Sequence, residues 1–385
     1  MPKTRSNKPL YAKRTLANSR SSSRGVVQKR AYGSKKVVKT VKKHLWRTAL
    51  GMLLVIASVA VMVSVGLYKF INAPFTKASE DEYFANSVWD TENFTTNIAI
   101  VYVSDYSEHG EVKRLFLFKA DDKAGKYYTY DFPTEEEITI PIKDNEKNTL
   151  KLKDIYSKSF SDKTHFTSDL KDFFVNYLAV KIDGYIIIDE ATYTEINDIY
   201  GGIDFNDLAV NLRLKNSVKV PRSLLTFRDG VKTNLSVDDT FSVLKFIKNT
   251  SSNSSIYHRL STYELLDNEQ WDRLWQESTQ YAEVKKEGIK VFVLNASNDP
   301  KIPGLAGWGN RLAKNIGSNV LGAENSFTDF EENTIIVDDE NLNTVRLLAD
   351  TLQITNVVKL SDLIVNGGYN SEIFRTKATL VLVDY

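Results

Sequence analysis

The chain has 385 residues, with 50 Lys+Arg against 49 Asp+Glu, four histidines and no cysteine. The lack of cysteine excludes disulfides, thiol catalysis and Cys-ligated zinc or iron–sulfur centres. His44, His109, His165 and His258 show no ligand spacing, which leaves little for a histidine metal site.

The net charge of +1 hides a steep asymmetry. Residues 1–47 hold fifteen Lys or Arg and no acidic residue, and the first carboxylate is Glu80. This stretch is too poor in large apolar residues to fold alone. It reads as a disordered tail attracted to anionic lipid; the other reading is a tail that binds nucleic acid or a cytoplasmic protein. The uncharged run Thr48–Tyr68 follows, with Arg47 and Lys69 as its flanks. At about 1.5 Å per residue, its apolar centre Ala49–Leu67 crosses a hydrocarbon core of roughly 30 Å. Apolar residues occupy every face, unlike an amphipathic core helix. The basic flank places the N-terminus in the cytoplasm and the chain beyond about residue 70 outside the cell membrane, with Trp46 at the interface. From Ile71 onward 34 basic residues face 49 acidic ones, a net of −15, which argues against nucleic acid as a partner of the exterior part.

Residues 70–94 read as a stalk. Beyond it the pattern predicts strands over 97–105, 114–120, 126–132 and 137–142, with the turn residues of 121–125 joining the second and third. Helices are predicted over 167–180, over 191–203 with a stop at Gly201-Gly202, and over 236–249 with Ser236 as cap and Asp239 three residues on. A strand over 184–190 separates the first two. Trp271 and Trp275 stand four apart on a later helix, a spacing that favours a core over a ligand platform. The alternation implies a three-layer α/β domain over 95–283. Residues 288–385 predict β-α-β-β-α-β-β: a strand over 288–297, a helix over 304–317, strands over 318–322 and 333–339, a helix over 341–353, and strands over 356–362 and 377–385. That order implies a small α+β domain. Five Asn-x-Ser/Thr sequons (Asn93, Asn234, Asn249, Asn253, Asn295) keep open a eukaryotic lumenal glycosyltransferase of similar topology.

Several segments resemble the LytR-CpsA-Psr family over about residues 95–270. The family's first strand ends in Gly-x-Asp, and here VYVSD ends in Asp105. Its second strand opens on Arg-Ser-Asp-Thr, where this chain has Glu111-Val112-Lys113-Arg114. Its third ends in Ser-Ile-Pro-Arg-Asp, against Tyr130-Asp131-Phe132-Pro133-Thr134-Glu135 here. Asp198-Ile199-Tyr200-Gly201-Gly202-Ile203 matches Asp-x-x-Gly-Gly-Val. Leu235 to Phe241 stands where Leu-x-Gly-x-x-Ala-Leu is usual, and Lys245 replaces the Arg that follows. Tyr257 to Tyr263 stands where Gly-Arg-Ile-x-Arg-Gln is usual, with Arg259 in the place of the first Arg. Residues 289–385 resemble the LytR C-terminal domain more closely, through Val291 to Ser297 and Gly304-Leu305-Ala306.

The resemblance implies a cell-envelope protein of a bacterium, with a cytoplasmic tail, one span and an exterior α/β domain. The family is associated with moving glycopolymers from a polyprenyl-pyrophosphate carrier to peptidoglycan. Asp105, Lys113, Arg114, Lys245 and Arg259 are the candidate remnants of its site. A pyrophosphate is best held by guanidinium forks, and the family's Arg cluster and paired Asp are incomplete here. The expectation is therefore a protein that binds wall glycopolymer or an envelope partner without catalysis, the alternative being an active transferase. No cofactor is expected, with Mg²⁺ implied only if transfer occurs. Asn295, Ser297 and Gly304 are candidate ligand contacts, because the turn and the following helix N-terminus present backbone N–H groups. The alternative is that Gly304 and Ala306 serve close helix–sheet packing. Trp308 stands at the same edge, where it either stacks on a sugar or belongs to the core.

Overall fold

The computed structural model describes residues 77–78, 95–122, 124–141, 147–157, 166–200, 202, 225–227, 229–278, 281–297, 304–363 and 371–385. The basic tail, the apolar run and most of the expected stalk lie outside the described residues. Among the described residues no helix is long and apolar enough to cross a membrane. The chain divides into two units, Met1–Tyr68 and Lys69–Tyr385, and all described elements belong to the second.

The strands, in chain order, are β1 (Lys77–Ala78), β2 (Thr95–Val103), β3 (Val112–Asp121), β4 (Lys126–Phe132), β5 (Glu137–Pro141), β6 (Lys147–Lys151), β7 (Gly184–Asp189), β8 (Lys232–Thr233), β9 (Ser255–Arg259), β10 (Lys290–Asn295), β11 (Asn319–Asn325), β12 (Thr334–Val337), β13 (Asn356–Lys359) and β14 (Ala378–Leu382). The longer helices among the described residues include α1 (Phe166–Lys171), α2 (Glu190–Tyr200), α3 (Val237–Asn249), α4 (Thr262–Leu266), α5 (Asn268–Glu277), α6 (Ala282–Glu287), α7 (Leu305–Asn315) and α8 (Asn343–Leu352).

A seven-stranded mixed sheet runs β1-β8-β7-β2-β3-β4-β9. The expected stalk therefore carries an edge strand: Lys77 and Ala78 pair in parallel with Lys232 and Thr233. Both faces of the sheet are covered, which is why β2 and β3 read as nearly unbroken apolar runs. Ile98, Phe118, Tyr127 and Ile186 pack under Val243, Phe246 and Ile247 of α3 on one face. Ala99, Val101, Leu115, Leu117 and Tyr130 pack under Phe173, Phe174, Trp271 and Trp275 on the other. The cap on α3 is as its sequence predicts, a reciprocal capping box between Ser236 and Asp239.

The helix predicted over 167–180 breaks. After α1 the chain is π-helical over Asp172–Tyr177, and the Leu178 N–H reaches back to the Phe173 carbonyl at 3.1 Å. Phe173 and Phe174 are adjacent and both fully buried, a demand that the widened turn meets. Ala179 then takes φ 55°, a left-handed conformation that L-residues avoid.

The second sheet runs β11-β10-β14-β12-β13, parallel except between β12 and β14. The element order is the predicted one, but the strands are mainly parallel with helices against them, closer to α/β than to the expected α+β. Helix α7 lies very close to this sheet at Gly309, where an added Cβ would stand 2.5 Å from Leu382 Cδ1 and 2.9 Å from Val293 Cγ1. Gly307, two residues earlier and exposed, has nothing within 4 Å of such a Cβ. Opposite outcomes follow in urea unfolding. Gly307→Ala is expected to gain about 0.5–1 kcal/mol from helix propensity. Gly309→Ala is expected to lose about 1 kcal/mol or more, because overpacking outweighs the same gain.

The two sheets share a junction built on carbonyl oxygens of the π-helical segment and the turn after it. Val175 O accepts from Trp308 Nε1 (3.1 Å), Tyr177 O from Arg311 Nη1 (3.3 Å), Leu178 O from Trp271 Nε1 (2.9 Å) and Ala179 O from Asn315 Nδ2 (3.2 Å). Val175 O also accepts from the Ala179 N–H at 3.1 Å, and for the carbonyls that end the segment side chains from α5 and α7 supply the donors. Trp308 is thus a buried junction residue, with its ring edge-on to Tyr385 at 5.1 Å, rather than a sugar platform. Trp271 and Trp275 are core, as their spacing predicts.

Candidate functional site

Asp105, Lys113, Arg114 and Arg259 come from the end of the first sheet where β2, β4 and β9 finish and β3 begins, Lys245 comes from α3, and the structure divides them into separate groups. The best-formed group sits where β3 begins and β4 and β9 end. Register places Asp131 beside Arg259, and Phe116 opposite Asp131. Arg114 Nη2 donates to Asp131 Oδ2 at 2.7 Å and to the Tyr257 hydroxyl at 3.2 Å. The Tyr257 hydroxyl donates to the same Asp131 oxygen at 2.5 Å. The guanidinium also lies 4.5 Å over the Phe116 ring. Asp131 is nearly buried while Arg114 is about a third exposed, so the pair is held from the inside and open on one side. Partial burial, then the Asp131 hydrogen bond and charge, push the Tyr257 hydroxyl pKa up, while Arg114 and Arg259 oppose the rise. Tyr257 is accordingly a neutral donor at ordinary pH. Arg259 is exposed at the rim of this group.

Asp105 belongs elsewhere. Its carboxylate accepts from the Ser107 N–H (2.8 Å) and the Ser104 hydroxyl (3.2 Å), an Asx-type turn that closes the β2–β3 loop. The Ser107 bonds come first in holding its pKa below the usual value. Gly110 is required here, since a Cβ would come within 2.3 Å of the Asp105 carbonyl oxygen. Close by, Lys232 Nζ donates to the Tyr156 hydroxyl at 3.0 Å and sits 4.6 Å from the Tyr106 ring centroid. The Tyr106 hydroxyl ties this corner together, 2.8 Å from Ile187 O and 2.6 Å from Gly230 O. Burial, and next the charge of Asp105, push the Tyr156 hydroxyl up to about 12. Lys113 pairs with Glu111 at 3.0 Å in solvent. Lys245 lies on the exposed side of α3. Of the five candidates, the structure therefore brings only Arg114 and Arg259 into one group. Their partners Asp131 and Tyr257 are not among the candidates that the sequence alone suggests. The legible signal was Asp131 itself, a carboxylate at a strand position flanked by aromatics, which needs a cation once buried.

In the second sheet, the Asn295 side-chain oxygen accepts from the Ser297 N–H at 3.1 Å, closing a turn at the end of β10. Gly304 caps α7 with φ 93°, and its carbonyl accepts from the Trp308 N–H. Nothing lies within 4 Å of a Cβ built on it, so its role is conformational, and the close approach to the sheet belongs to Gly309. Two sequon asparagines have internal roles: Asn295 in that turn, and Asn234, whose Oδ1 accepts from the Tyr185 N–H at 2.8 Å. Among the described residues no group of three or more carboxylates and histidines could hold a metal ion.

No family model matches the chain, and no curated protein matches it. Similar solved structures include protein gbs0355 of Streptococcus agalactiae, at 12% identity and TM-score 0.36, covering 44% of this chain and 78% of that one. Bacillus subtilis TagV aligns at 14% identity and TM-score 0.33, covering 44% and 85%. TagT bound to LIIa-WTA aligns at 10% identity and TM-score 0.30, covering 49% and 86%. All three lie below 25% identity and a TM-score of 0.5.

Proposed function

We propose that this is a single-pass protein of the cell membrane, with its N-terminus cytoplasmic and its folded part outside, that binds a phosphate-bearing wall glycopolymer and does not transfer it. The apolar run with its basic flank supports the topology, and the order of the LytR-CpsA-Psr-like segments supports the ligand class. The observation that carries the reading is the state of Arg114. Its guanidinium is closed on Asp131 and Tyr257, so it is not free to neutralise charge developing on a phosphoryl group. Arg259, exposed at the rim, is left as the cation that meets a phosphate from solvent. Such a site holds an anionic polymer modestly and with strong salt dependence.

The test uses the full-length protein in detergent and isolated wall polymer, intact or stripped of phosphate. Retention is expected at low salt on the intact polymer only, and Arg259→Gln is expected to weaken it about tenfold, the scale of one charge-assisted contact. No retention on intact polymer at low salt would sink the proposal. Release of the lipid carrier from a polyprenyl-pyrophosphate glycan would establish the transferase in its place.

A further inference from the structure

The seven-stranded sheet buries an amine that the proposed binding site does not use. Lys119 is 1% exposed two residues before the end of β3, on the face covered by α5. Its Nζ donates to Ser278 Oγ at 2.8 Å and lies 3.8 Å from the Trp275 ring centroid. The Ser278 hydroxyl in turn donates a hydrogen bond to the Trp275 carbonyl. The site thus offers two acceptors, one oxygen and one indole face. A neutral amine has two N–H groups and fills both; an ammonium is drawn to the same indole face, but it carries a third N–H and a full charge into a fully buried position with no carboxylate ion-paired to it among the described residues.

We propose that Lys119 is neutral in the folded protein and that its protonation on mild acidification unseats α5, loosening the junction between the two sheets. The route is short. Trp275 stands over the amine and donates from its indole to Asn315 O at 3.1 Å, and Asp272 on the same helix takes two hydrogen bonds from Arg311 at 2.8 and 3.1 Å. A charge placed under Trp275 therefore acts on the helix that carries the junction.

The surroundings agree. Burial depresses the Lys119 pKa to about 7, and Asp121 on the same strand opposes this only in part. On β4, Tyr128 stands opposite Lys119, and Tyr130, diagonal to it, is held neutral by burial. On β2 the opposite residue is the uncharged Asn97, which donates to the Tyr281 hydroxyl at 2.8 Å. Burial disfavours charge on Lys181 nearby, but Asp183, Tyr281 and Asp350 outweigh it and keep it protonated well above pH 7. From α5 the amine meets Trp275 and the Ser278 that ends the helix. The sign follows from linkage. Between about pH 7 and the unfolded lysine value near 10.4, the unfolded chain holds the extra proton, so stability rises with pH across that window and is lowest below it.

The experiment is a pH series from 5.5 to 8.5 on the full-length protein, followed by tryptophan emission and by amide exchange corrected for intrinsic rates. The wild type is expected to show an emission step centred near pH 7. Exchange over 268–278 and 305–316 is expected to be several-fold faster at the acid end. Lys119→Met should abolish both. His258→Gln should keep them, which separates Lys119 from a histidine whose ring lies 6.4 Å from Tyr130. A wild type with no step, or a step that survives Lys119→Met and disappears in His258→Gln, overturns the proposal. If Lys119→Met does not accumulate, the wild-type exchange map decides: protection of 268–278 that is the same at both ends of the series overturns it.

Discussion

Asn315→Ala is expected to cost about 3 kcal/mol and to split the unfolding of the exterior part into two steps. Asn315 is 1% exposed, and every group it carries is used across the junction. Its two N–H bonds go to Ala179 O (3.2 Å) and Asp272 Oδ1 (2.9 Å), its side-chain oxygen accepts from Gln276 (2.8 Å), and its carbonyl accepts from Trp275. Alanine keeps only the last. A buried partner left unsatisfied costs about 1–3 kcal/mol, and the carbonyl of the fully buried Ala179 is such a partner, while the half-buried Gln276 amide turns to water. Ala179 adds to the loss, because its left-handed backbone is held against about 1–2 kcal/mol of steric preference by the bonds around it. Urea unfolding read by tryptophan emission checks this well, since Trp271, Trp275 and Trp308 all stand at the junction. A single transition at the wild-type midpoint would show that the two sheets are joined by something other than Asn315.

The contrast between what the chain spells locally and what it does not follows from the range of the forces. The strands over 97–105 and 114–120 are legible because both faces of the sheet are covered, which writes continuous apolar runs into the sequence. The Ser236 capping box is legible because both partners lie within one turn. The order of elements over 288–385 is legible for the same local reasons. The break of the 167–180 helix is not, because its cause is the need to bury Phe173 and Phe174 together and to hand four carbonyls to donors more than ninety residues away in sequence. Lys119 reads as an ordinary strand lysine in RLFLFKA, and only the tertiary position of Trp275 turns it into a buried amine. The same limit governs the candidate site. Asp105 and Arg114 stand in consecutive segments as candidates for one site. The loop between them spends the Asp105 carboxylate on its own backbone, and Asp131, from the next strand, takes the arginine instead.

That substitution of partners sets up a counterintuitive binding result. Asp131→Asn is expected to strengthen binding of the phosphate-bearing polymer, by about tenfold, or about 1.4 kcal/mol. In the wild type a ligand phosphate must compete with Asp131 for the Arg114 guanidinium, at a separation of only 2.7 Å. An asparagine keeps an oxygen for Tyr257 and Arg114 and so keeps the side chains in place, but it removes the negative charge that neutralises the fork. Folding is expected to change by less than about 1 kcal/mol, because losing the ion pair is offset by no longer burying a carboxylate. Arg114→Ala is the opposite perturbation: it leaves Asp131 nearly buried with Tyr257 as its remaining donor, and both stability and binding should fall. Binding isotherms at two salt concentrations distinguish the cases, since a guanidinium no longer neutralised by Asp131 steepens the salt dependence as well as raising the affinity. If Asp131→Asn weakens binding to the same degree as Arg114→Ala, then Asp131 orients the guanidinium toward the ligand instead of competing with it. The site would then be a preorganised anion clamp, and the case against catalysis would lose its main support.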